Sequence, residues 1–219
     1  MLTLLFDGIA YGMLLFILAV GLSVTMGLMN FINLAHGAFA MAGGYLTVVL
    51  MQRWDVPFLL CLPLAFAGTA LLGAVLERTL YRHMYRKPHL DQVLFSIGLA
   101  FMSVASMDYF MGSQQQIMQL PEWLRGRTEL WDGRVYSLGM GHYRLFIIAV
   151  CAALTVGLQF ILAKTRFGSR LRASVDDARV AAGLGIRVNL VFAATFAVGS
   201  GLAGLGGALG AEVLGLDPT

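Results

Sequence analysis

Six runs of roughly twenty apolar residues, at about 4–29, 34–52, 56–76, 92–112, 143–163 and 190–214, restrict this chain to one class of fold. A helix of about twenty residues spans the ~30 Å hydrocarbon layer of a bilayer with each backbone N–H and C=O paired inside the segment. The rest of the composition agrees: of 219 residues 58% are hydrophobic, only 12% are charged, and 26 are glycine. With a mean hydropathy of +0.77 the chain reads as an all-α polytopic integral membrane protein, about six transmembrane helices in a single domain over residues 1–219. Arg53 is the first basic residue, so residues 1–30 lack the charged start of a cleaved signal peptide and read as a retained helix.

The charges between the runs set an orientation. Residues 77–91 carry Arg78, Arg82, Arg86 and Lys87, and residues 164–189 carry Lys164, Arg166, Arg170, Arg172, Arg179 and Arg187. Loops enriched in Lys and Arg stay on the cytoplasmic side. These two lie two spans apart, so both fit one topology, with the N-terminus and residues 113–142 outside. That outer segment balances Arg125, Arg127 and Arg134 against Glu122, Glu129 and Asp132, and it holds Gln114, Gln115, Gln116, Trp123, Trp131 and Tyr136. It reads as an interfacial cap with aromatic anchors, and the alternation from Gly133 to Leu138 is patterned for a short hairpin.

The turn between the first two runs breaks the charge pattern. Asn30-Phe-Ile-Asn33-Leu-Ala-His36-Gly37 contains no Lys or Arg and is expected to stop short of open cytoplasm, with Asn33 as N-cap of the second helix. Irregular backbone at membrane depth is tolerated where protein or a water-filled cavity surrounds it. Two readings stay open here. Either Asn30, Asn33, His36 and Gly37 line a translocation path at a broken junction, or their polar groups simply satisfy a buried helix end.

Small residues four apart let membrane helices approach closely, and that spacing recurs at Gly8 and Gly12, Ser23 and Gly27, Ala203 and Gly207, and Gly206 and Gly210. The run from Gly199 to Gly210 must abut another helix, in this chain or in a second subunit. Asp108 and Glu212 fall at outer span ends and read as interfacial. Cys61 and Cys151 sit inside apolar runs and read as small buried hydrophobes.

Several function classes are disfavoured. The sequence has no GxxxxGK[ST] phosphate loop, so any ATP-driven work needs a separate ATPase. An ion-coupled secondary transporter needs an ionisable group near the midplane of a span, and no convincing one is present. An enzyme would need a nucleophile with its base or a metal cluster, whereas His36, His83, His89 and His142 are scattered without HExxH spacing. No catalysis, cofactor, metal or nucleic-acid partner is expected, and membrane lipid is.

Three stretches carry a resemblance. Gly21-Leu-Ser-Val-Thr-Met-Gly27 runs into Asn30-Phe-Ile-Asn-Leu-Ala-His-Gly37 and then Gly43-Gly44-Tyr45. Lys164-Thr-Arg-Phe-Gly168 is followed by Arg172-Ala-Ser-Val-Asp-Asp177 and Ala181-Ala-Gly-Leu-Gly-Ile186. Thr195-Phe196 leads into the glycine-rich run, which ends at Leu216-Asp217-Pro218. In this order and spacing they resemble the permease subunits of ATP-binding-cassette importers for branched-chain amino acids, the LivH type, while residues 54–160 add only hydropathy.

The resemblance implies a multi-pass subunit of the bacterial inner membrane. Its implied partners are a second homologous permease subunit, two cytoplasmic ATP-binding subunits and a periplasmic substrate-binding protein. The implied substrates are branched-chain or related small amino acids, with urea, short amides and aromatic acids moved by other relatives. A cytoplasmic coupling helix between the fifth and sixth spans is also implied, seated in a groove of the ATPase. Its residues are Asp176 and Asp177 at the start, Ala178, Ala181 and Ala182 as a small face, Arg179 on the flank and Gly185 at the end. The importer-wide pattern has Glu-Ala-Ala and a later Gly where this chain has Arg179, Val180, Ala181 and Gly185, a change in the charge offered to the ATPase. Family members continue past the Asp-Pro with further helices, so the chain is expected to be incomplete at its C-terminus.

Overall fold

The computed structural model describes residues 2–29, 31–85, 87–112, 118, 120–132 and 137–215. In chain order the elements begin with α1 (Leu2–Met29), α2 (His36–Trp54) and α3 (Phe58–Leu76), which runs on through a π-helical turn, Glu77–Tyr81, into the single turn α4 (Arg82–Met84). Then come α5 (His89–Met111), α6 (Glu122–Arg125), a hairpin of β1 (Arg127–Asp132) and β2 (Ser137–Gly141), and α7 (His142–Lys164). Two short helices, α8 (Arg166–Asp176) and α9 (Ala178–Gly183), lead into α10 (Val188–Leu214). The long helices are α1, α2, α3, α5, α7 and α10, close to the six apolar runs.

Five of them are long and apolar enough to cross a bilayer by length and composition. The exception is α2, whose 19 residues include His36, Gln52 and Arg53. Its buried residues, among them His36, Phe39, Gly43, Tyr45, Thr47 and Val48, face other helices, so it needs less apolar surface than a span facing lipid on most sides.

At the centre is α10, packed along α1, α2 and α3. The glycine-rich run therefore abuts neighbours in this same chain, which decides the choice left open by the sequence. A methyl group placed on Gly43 would run into the Gly204 backbone, one on Gly207 into the Ala40 carbonyl, and one on Gly204 into Thr69. One on Gly199 would stand 2.9 Å from the Gly21 carbonyl oxygen. By contrast Gly8, Gly12 and Gly27 face open space, so their spacing serves no contact among the described residues. The hydroxyls within these contacts are satisfied by their own helices: Thr25, Thr47, Thr69, Thr195 and Ser200 each donate to a carbonyl one turn back, at 2.7–3.2 Å.

Two polar ties fix α7 to this centre. The Tyr143 hydroxyl donates to the Leu209 carbonyl at 2.6 Å, and Arg144 pairs with Asp7 on α1. Met118, Leu120 and Leu124 close the same end by packing with Phe58, Tyr143 and Ile147. The strands β1 and β2 pair antiparallel, with Arg127 opposite Gly141. They flank the alternation that suggested a hairpin, and residues 133–136, like Gln114, Gln115 and Gln116, lie outside the described set. Asp108 and Glu212 are exposed, and Cys61 and Cys151 are buried free thiols.

Connectivity places the 77–91 and 164–189 segments together at the other, basic end of the bundle, where residues of both line one cleft.

Candidate functional site

The α1–α2 junction meets the π-helical turn and the start of α5 at the basic end. Asn33 is 1% exposed there, and its Oδ1 accepts the Ala35 N–H at 3.1 Å and the Tyr81 O–H at 3.0 Å. It is not the N-cap of α2. Ala35 holds that place without a side-chain bond, while Asn33 closes an Asx turn before it, drawn there by the Tyr81 hydroxyl from a distant element. Asn30 lies outside the described residues.

Gln92 fastens the junction from α5. Its Oε1 accepts the Ile32 N–H at 3.4 Å, and its Nε2 donates to the Lys87 carbonyl at 3.1 Å and the Met84 carbonyl at 3.3 Å. The π turn widens α3 where Glu77 and Tyr81 are buried, and Glu77 Oε1 accepts the Tyr85 hydroxyl at 3.0 Å. Tyr81 is packed among Phe196, Phe31 and Phe95, with ring centroids 4.6, 5.3 and 5.4 Å away. This aromatic cluster closes the junction on its basic side.

His36 lies against α1: a methyl on Gly21 would stand 3.1 Å from its Cε1 and Nε2. Gly37 is exposed with open space around its Cα and stands apart from the buried set. Asn33 Nδ2 is buried without a hydrogen-bond partner among the described residues, whereas the buried His36 ring has the Leu18 backbone of α1 beside it. A buried polar group left unpaired costs about 1–3 kcal/mol, so Asn33 Nδ2 is a costly group to enclose in this junction. The residues that hold this junction in place, Tyr81, Gln92, Tyr85 and Glu77, escaped sequence reasoning. Their only local signal is polarity near span ends, which interfacial residues share.

The coupling segment differs from its expected form. In place of one helix from Asp176 to Gly185 there are two, because Asp177 adopts an extended conformation with φ −150°. Its Oδ1 accepts the Arg179 and Val180 N–H groups at 2.8 and 3.0 Å, making it the N-cap of α9, whereas Asp176 ends α8. Gly185, at φ 82°, ends the helix as expected: its N–H reaches the Ala182 carbonyl and that of Ile186 the Ala181 carbonyl, both at 3.0 Å. Ala181 is 1% exposed, so it packs inside the chain, and Ala178 and Ala182 wall a cleft against α4 and α10. Of the small face, Ala181 alone packs inside the chain, while Ala178, Ala182 and Gly185 are exposed. The large apolar side chains that face outward on this segment are Val180, 59% exposed, and Leu184, 77% exposed.

With this geometry in view, residues 4–216 match the family model described as branched-chain amino acid transport system / permease component. The chain belongs to that family. It is 26% identical to the high-affinity branched-chain amino acid transport system permease protein BraD of Pseudomonas aeruginosa, over 97% of this chain and 70% of that protein. It is 25% identical to the LivH permease protein of Escherichia coli, over 97% and 71%, and 28% identical to a probable LivH of Methanocaldococcus jannaschii, over 92% and 63%. No solved structure matches it.

In this permease component two cavities mark the ends of the bundle. One of about 590 Å³ lies under the cap, between Gln52, Asp55, Phe58, Met118, Glu122 and Arg125, and offers both charge signs beside apolar surface. The other, about 1240 Å³, is the basic-end cleft. No cluster suited to a metal ion occurs among the described residues.

Proposed function

We propose that this permease subunit carries branched-chain or related small amino acids across the bacterial inner membrane. In this reading it works beside a second homologous permease subunit, receives substrate from a periplasmic binding protein, and is driven by two cytoplasmic ATP-binding subunits. The observation that carries the reading is the unpartnered buried Asn33 Nδ2, in the same junction as the buried His36 imidazole, inside a bundle whose buried threonine and serine hydroxyls bond within their own helices. An amide N–H suits a passing carboxylate, and an imidazole suits either end of a zwitterion. The names of the relatives support the substrate class. Asn30, next to this turn in sequence, belongs to the proposed path on sequence grounds.

In the same proposal α9 is the contact with the ATPase, through the outward stripe of Val180 and Leu184, which are one helical turn apart. Motion there reaches α10 directly through Ile186 and Arg187, and α10 packs against α1, α2 and α3, which border the junction.

The test is uptake of labelled leucine by the complete complex in proteoliposomes. Asn33→Leu and His36→Leu should each lower uptake roughly tenfold, the equivalent of one hydrogen bond to a charged group, while the complex still assembles. Wild-type uptake by both variants would remove the junction from the path, and uptake of urea or benzoate in place of leucine would move the substrate class.

A further inference from the structure

The basic-end cleft is built for an anion. Arg78 and Arg82 on the widened end of α3 and α4, Arg179 on α9 and Arg187 before α10 surround its volume of about 1240 Å³. Its one acidic lining residue, Glu77, is 3% exposed and accepts the Tyr85 hydroxyl. Among the described residues the only ion pair joins Arg144 to Asp7; Glu77 acts on Arg78 and Arg82 from beyond ion-pair distance, one carboxyl against four guanidinium groups. Four cations around one hollow repel one another, and planar guanidinium forks match phosphate oxygens.

The position of the cleft selects the anion. It opens at the ends of two spans, α3 with α4 and α10, and its other wall includes Phe192 and the 54% exposed Leu190. A charged hollow with an apolar flank at that level matches a lipid, phosphate in the hollow and chains along the flank. We propose that this cleft binds the headgroup of an anionic phospholipid. An acidic surface of the ATPase is the less suited occupant, because the cleft is a recess behind α9 and the outward stripe of α9 points away from it.

The experiment titrates dioleoylphosphatidylglycerol or dioleoylphosphatidylcholine into the detergent-purified full chain and follows the melting temperature. The anionic lipid should raise it saturably, less so in high salt, and the zwitterionic lipid should not. Arg78→Gln with Arg187→Gln should weaken the response about fivefold per arginine removed, whereas Lys164→Gln with Arg166→Gln should leave it intact. If the first pair fails to fold, Arg179→Gln, at an exposed position, serves in its place and should weaken the response about fivefold. Equal responses to the two lipids, or equal losses in the two double variants, would overturn the proposal. So would the same stabilisation by inorganic phosphate alone, or variants that keep the lipid response and lose only ATPase binding.

Discussion

The Tyr81 hydroxyl donates to Asn33 Oδ1 at 3.0 Å, joining two residues 48 positions apart. This bond ties the non-helical α1–α2 junction to the π turn of α3, and through Tyr81 to the aromatic cluster around Phe196. Tyr81→Phe keeps the ring and deletes the tie. A double-mutant cycle of Tyr81→Phe with Asn33→Leu, read by thermal melting, should give a coupling of about 0.6 kcal/mol and at most ~1.7 kcal/mol. Purely additive effects would show that the two groups stabilise the fold independently.

The centre of the bundle tolerates almost no added volume. Gly207→Ala or Gly43→Ala pushes a methyl into the backbone of the facing helix, at the Ala40 carbonyl or at Gly204. Each should cost about 1–3 kcal/mol or prevent folding altogether. Gly12→Ala, with open space around it, should melt at or slightly above the wild-type temperature. A comparable loss at Gly12 would mean that its face is also packed.

At the coupling segment two faces of one helix should behave differently. Ala181→Trp, at a position 1% exposed, should destabilise the chain itself, so any loss of transport there reports folding. Leu184→Asp, at a position 77% exposed, should leave melting within about 0.5 kcal/mol of wild type and reduce co-purification of the ATPase. Unchanged ATPase recruitment and transport in Leu184→Asp would exclude the Val180 and Leu184 stripe as the docking face.

The ends of α9 are held by single residues. Asp177→Ala removes the acceptor of two N–H groups and should cost about 1 kcal/mol, seen as faster hydrogen exchange at Arg179 and Val180. Gly185→Ala imposes a side chain at φ 82° and should cost about 1–2 kcal/mol. Exchange unchanged in Asp177→Ala would show that packing of Ala181, and not the cap, starts this helix.

Much of the architecture was legible along the chain, because hydropathy and charge act locally. A run of twenty apolar residues needs a span wherever it falls, a cluster of arginines marks a helix end, and Asp177 and Gly185 bound a helix by their own backbone chemistry. The sequence thereby determined the spans, their shared basic end, the need for a partner along Gly199 to Gly210, and a polar turn at Asn33 and His36. It did not determine how each helix is rotated about its axis. That rotation depends on which surfaces can approach within contact distance. The tertiary structure therefore decided that the α10 glycines meet α1, α2 and α3, while the equally suggestive Gly8 and Gly12 meet nothing among the described residues. It decided that Asn33 serves Tyr81 and an Asx turn instead of capping α2, because a hydroxyl from 48 residues away competes for the same oxygen. It also turned Ala181 of α9 inward while Ala178 and Ala182 stay exposed at the cleft, since a small side chain is what lets a short helix press against its own chain.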